Sequence, residues 1–79
     1  MIRYNYDKLK GKIKEKFNTQ NDFAVALGIA PNTLSAKLNN QFDFSSNEIS
    51  KAIELLQIND AVEAWNIFFT KEVEKKSTK

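Results

Sequence analysis

With neither histidine nor cysteine among its 79 residues, this chain must do its chemistry with lysines, carboxylates, amides and hydroxyls. A Ser-His or Cys-His nucleophile is ruled out, and so is a metal site built on imidazole or thiolate. Ten carboxylates are present, but no spacing marks two of them as an acid/base dyad, and two glycines cannot build a phosphate-cradling loop. The chain is therefore expected not to be an enzyme, and nothing in it calls for a cofactor or a small-molecule substrate. What remains specific is a stretch of polar side chains in GIAPNTLSAKLNN, residues 28–40. Asn32, Thr33, Ser35, Lys37, Asn39 and Asn40 offer hydrogen bonds and one positive charge along a short segment, which is the chemistry of recognition.

That stretch needs a helix to carry it and others to hold the helix in place. Gly28 releases the chain, Pro31 suits a first helical position where its missing amide costs nothing, and Leu34 and Leu38 lie one turn apart. Upstream, DKLKGKIKEKF (7–17) reads as a helix, because Leu9, Ile13 and Phe17 form an i, i+4, i+8 stripe with every charge outside it. Gly11 inside it costs about 1 kcal/mol relative to alanine. NTQNDFAVALG (18–28) opens with Thr19 and Asp22 in a capping-box pattern and turns Phe23, Ala24 and Leu27 inward. NQFDFSS (40–46) is a loop with Phe42 or Phe44 tucked beneath it. Ser45 and Glu48 then form a second capping box before a helix whose inner face is Ile49, Ala52, Ile53 and Leu56. Asn59 and Asp60 are caps for a last helix through Trp65, and IFFTKEV (67–73) is open between continued helix and extended chain. Trp65, Phe68 and Phe69 are expected to close the core; one left exposed would support a homodimer.

Length allows one domain, expected over 1–74, followed by a disordered basic tail at 75–79. No stretch approaches the roughly 20 apolar residues of a membrane span, and the N-terminus lacks a signal-peptide run, so the expected location is the cytoplasm. Charge is unevenly placed. Residues 1–40 carry seven cations against three carboxylates, and residues 41–79 carry five against seven. A basic half joined to an acidic one gives one side affinity for a polyanion.

The run Gln20, Phe23, Ala24, Leu27, Gly28, Ile29, Leu34 meets the needs of two short helices crossing at an elbow: a small contact residue, a glycine turn, a plug beneath it and an anchor in the second helix. TQNDFAVALGIAPNTLSAKLNN resembles the phage repressor and Cro superfamily of helix-turn-helix domains. Together with YDKLKGKIKEKF, EISKAIELL and IFFTKEV, it is similar to the small Cro-like or modulator-of-repression proteins of phages of Gram-positive bacteria, over about residues 4–73. The resemblance implies an all-α fold, a compact five-helix bundle of the lambda-repressor-like type, with 67–73 able to form a short extended C-terminal segment.

It also implies site residues. Gln20 stands where the superfamily often binds a phosphate. Ala30, Pro31, Asn32, Ser35 and Ala36 stand where base edges are read, Thr33 and Lys37 where the DNA backbone is touched, and Asn39 and Asn40 at the helix end. Lys14 adds a phosphate contact. Two departures stand out: arginine and glutamine are missing from the front of the helix, and Lys37 occupies a position that is often apolar, with Leu38 taking that role. Two functions follow. One is a Cro-like regulator of a lysis-lysogeny switch, whose dimer binds a double-stranded operator at half-sites about one helical turn apart. The other is a modulator of repression that binds the cognate phage repressor.

Overall fold

In the computed structural model, which describes residues 3–71, five helices follow one another: α1 (Asp7–Phe17), α2 (Gln20–Leu27), α3 (Pro31–Leu38), α4 (Ser46–Leu55) and α5 (Ala61–Phe69). The expected tail at 75–79 and the end of the 67–73 segment lie outside the described residues. α2 sits centrally, packed on α1, α3 and α4, while α5 docks on α1. No helix among the described residues is long and apolar enough to cross a membrane.

Four of the five helices start where a side chain can satisfy an orphan amide. Asn5 Oδ1 accepts from Asp7 N–H at 2.8 Å, Thr19 Oγ1 from Asp22 N–H at 3.1 Å, and Asp60 Oδ1 from Val62 N–H at 3.1 Å. At α4 the box is complete, Ser45 Oγ accepting from Glu48 N–H and Glu48 Oε1 from Ser45 N–H. α3 has no side-chain cap and begins instead on Pro31.

The ends of α2, α3 and α4 share one device. Gly28 takes a left-handed φ of 87°, and Ile29 N–H reaches Ala24 O while Gly28 N–H reaches Val25 O, the paired bonds of a Schellman closure. The same two bonds close α3 at Asn40 (φ 67°) and α4 at Gln57 (φ 57°). Leu9, Phe23, Ala24, Leu34, Ala52 and Leu56 are completely buried in the resulting core. The inward stripes read from the sequence are those observed, with Phe17, Ile29, Ile49 and Ile53 half-buried at its margin.

Two expectations need correction, on Trp65 and Lys37, and one open alternative, at 67–73, is settled over the described residues. Trp65 is not core: it is 64% exposed, stacked against the half-buried Phe69 at 4.6 Å between ring centroids. At about 100° per residue, the face that buries Ile67 and Phe68 turns Trp65 outward. The segment from 67 is helical through Phe69 and extended at Thr70, where Lys71 pairs with Tyr4 in an isolated antiparallel bridge and Asn5 N–H donates to Thr70 O at 2.7 Å. Lys37, in turn, is no surface charge. Its Nζ donates to Glu48 Oε1 at 2.8 Å and Asp43 O at 2.9 Å and lies 5.8 Å from the centre of the Phe44 ring, with the side chain only 11% exposed. Its stem fills the apolar position three residues after Leu34, and its charge must then find a partner there.

Burial alone would raise the Glu48 carboxyl, but the hydrogen bond from Lys37, those from Ser45 and the Lys37 charge outweigh it and hold the group below its ordinary 4.5. A carboxyl lowered on folding stabilises the protein fully above about pH 4.5, and that stability is lost as pH falls through the folded value. Glu48→Gln keeps a capping-box residue and removes the charge. It is expected to cost about 1–2 kcal/mol at pH 7 and to flatten the acid limb of urea-denaturation stability between neutral pH and pH 3; identical acid limbs would exclude this pair as their source. The glycines give a paired prediction. A Cβ at Gly11 would meet nothing within 4 Å, so Gly11→Ala should add up to about 1 kcal/mol of stability. Gly28→Ala should instead cost about 1–2 kcal/mol through its positive φ alone, since the nearest atom to a Cβ there is a lysine tip at 3.9 Å. Thermal melts of the two variants should move in opposite directions.

Candidate functional site

The elbow at Gly28 folds α2 and α3 together so that the first turn of one borders the outer face of the other. Gln20 and Asn21 from α2, Pro31, Asn32, Ser35 and Ala36 from α3, and Asn39 and Gln41 beyond it line one shallow groove of about 460 Å³. Six of the residues singled out from sequence thus meet: Gln20, Pro31, Asn32, Ser35, Ala36 and Asn39. Ala30 and Thr33 are exposed beside it but do not line it.

The other three lie elsewhere. Lys14 is exposed on α1 and outside the groove. Lys37 is held by Glu48, as described. Asn40 turns its amide to the N-terminal segment: Oδ1 accepts from Tyr4 N–H at 2.8 Å and Nδ2 donates to Tyr4 O at 2.9 Å, as a neighbouring β-strand would. It thereby closes α3 and anchors residue 4 at once.

Five of the groove's side chains are carboxamides and none is charged. Each carboxamide can donate and accept, so the surface can pair with adenine edges or with peptide groups, but it provides no counter-charge for phosphate. Asn21 and Gln41 went unnoticed in the sequence because neither lies on α3; one is in the first turn of α2 and the other follows the closure at Asn40. Phe42, next after Gln41, is 63% exposed, while Phe44 is the loop aromatic that packs inward. The lysines of α1 are partly engaged: Lys12 pairs with Glu63 at 3.3 Å and Glu15 at 3.9 Å, and Lys16 donates to Gln57 at 3.3 Å. Lys8, Lys10, Lys14 and Lys16 are exposed.

Among solved structures, the chain is similar to the modulator of repression (MOR) of the temperate bacteriophage TP901-1 from Lactococcus lactis, determined in solution. The two share 39% sequence identity with a TM-score of 0.68, over 84% of this chain and 86% of that one. No curated protein matches the sequence. Residues 2–72 match the family described as "Protein of unknown function (DUF739)", and with nearly the whole chain covered, the protein belongs to that family.

Proposed function

We propose that this protein is a modulator of repression, a regulatory rather than catalytic protein that binds a phage repressor directly and alters its operator occupancy. The observation that carries this reading is the uncharged, carboxamide-lined α3 groove, with the cation of α3, Lys37, committed to Glu48. A helix that reads DNA needs phosphate contacts to fix its register. A protein partner needs hydrogen bonds and an apolar anchor, and exposed Phe42 beside Gln41 is of the aromatic type that dominates such interfaces. Similarity to a phage protein described as a modulator of repression supports the same reading.

A second reading, a Cro-like regulator binding a double-stranded operator, is favoured by the exposed lysines of α1, among them Lys14. Gln20, Asn32 and Ser35 would then face DNA, with Ala30, Pro31, Thr33, Ala36 and Asn39 around them. Any homodimer would use Trp65, which with Val62 is the exposed apolar pair on α5.

The two readings separate in a titration of the purified protein against its own early promoter region as salt is raised, with and without the cognate repressor. The expected outcome is no preference for that promoter over random duplex when the protein is alone, and a changed repressor–operator complex when both are present. Tight, salt-sensitive binding to the promoter without repressor would overturn the modulator reading. An Asn32→Ala, Ser35→Ala double variant, altering two exposed groove positions, should weaken repressor binding at unchanged thermal stability.

A further inference from the structure

Away from the groove, Tyr4 and Tyr6 of the N-terminal segment, Phe44 of the α3–α4 loop and Phe68 and Phe69 of α5 line a pocket of about 200 Å³. Three segments distant in sequence supply the rings, and the Asn40 clamp on Tyr4 holds the first of them there. The rings meet edge to face: Tyr4 on Phe69 at 5.9 Å and 82°, Tyr6 on Phe44 at 5.5 Å and 83°, Phe44 on Phe68 at 5.7 Å and 82°. Aromatic rings carry negative potential on their faces, so a pocket walled by them favours a cation. Lys37 Nζ, 5.8 Å from the Phe44 centroid, shows one of these rings already accepting a cation.

Asp43 lines the same pocket. Among the described residues its carboxylate has no ion pair or hydrogen bond; only its backbone carbonyl is taken, by Lys37. Its charge reaches the rings, since the Tyr6 phenol is pushed above 10.0 first by burial and then by Asp43 and Tyr4. The pocket is smaller than the roughly 300–1,000 Å³ of a small-molecule site, so a single side chain fits it better than a metabolite. Ring walls with a carboxylate unpaired among the described residues match a flat, weakly hydrated cation that can stack and also fork to an oxygen pair, which is guanidinium rather than ammonium.

The geometry points to this pocket as the receptor for an arginine side chain presented by a partner protein, its guanidinium against the Tyr4, Phe44 and Phe69 rings and bonded to the Asp43 carboxylate. The assignment goes beyond the proposed function, because it does not depend on that partner being a repressor.

The test uses the full chain, isotope-labelled, titrated with the blocked tripeptide Gly-Arg-Gly and its lysine and citrulline counterparts while the Tyr4, Tyr6, Phe44 and Phe69 resonances are followed. Saturable shifts at millimolar arginine peptide, weaker ones with lysine and none with citrulline are expected. Asp43→Asn should weaken arginine-peptide binding about tenfold or more, as loss of a charge-assisted bond predicts. Glu54→Gln, on the exposed surface of α4, should leave it unchanged. Absence of saturable shifts with the arginine peptide, equal binding of the citrulline or lysine peptide, or full binding by a folded Asp43→Asn variant would each overturn the assignment.

Discussion

The α3 face owes its position to the way the chain leaves α2. Both helices are eight residues long, too short to persist alone in water. Their relative placement rests on Ala24, completely buried, whose carbonyl accepts the amides of both Gly28 and Ile29. A bulkier side chain at 24 would separate the helices, and an L-residue at 28 would work against its own backbone. The same closure recurs at Asn40 and Gln57, but with different consequences. Asparagine tolerates the left-handed region and there gains the Tyr4 clamp. Gln57 adopts it without either advantage, its cost offset by the burial of Ile58 immediately after.

Lys37 decides the electrostatic character of that face. Had it pointed outward, α3 would present a cation to a polyanion. Because it fills an apolar position, its ammonium is held at Glu48, and that carboxylate also caps α4, so one short contact joins two helices and the loop between them. The groove is left neutral and rich in amides, suited to short-range hydrogen bonding rather than long-range attraction. The basic character of the first half of the chain sits instead on α1, which packs against α2 and α5. Charge and recognition surface are thus carried by different elements.

The aromatic residues show a similar division. Phe23, Phe68 and Tyr6 are buried in the core, Trp65 and Phe42 face solvent, and Tyr4, Phe44 and Phe69 stand between, Tyr4 meeting Phe69 and Phe44 meeting Tyr6 edge to face. This middle group exists because the N-terminal segment is held on both sides, by Asn40 at the end of α3 and by Thr70 and Lys71 beyond α5. Two strand-like attachments of a few residues close a fold otherwise made of helices.

Local pattern determined the helices, their inward stripes, the caps at Thr19, Ser45 and Asp60 and the turn at Gly28, because each follows from spacing or backbone preference within a few residues. It also marked the polar face of α3, where Gln20, Asn32, Ser35 and Asn39 meet. What periodicity could not reveal was where long side chains end: Lys37 reads as surface until Glu48, eleven residues on, is brought to 2.8 Å. Nor could it distinguish Trp65 from Phe68 on a helix apolar on more than one side, or link Asn40 to Tyr4 across 36 residues. Those outcomes depend on contacts between segments far apart in the chain, which exist only after the helices have packed.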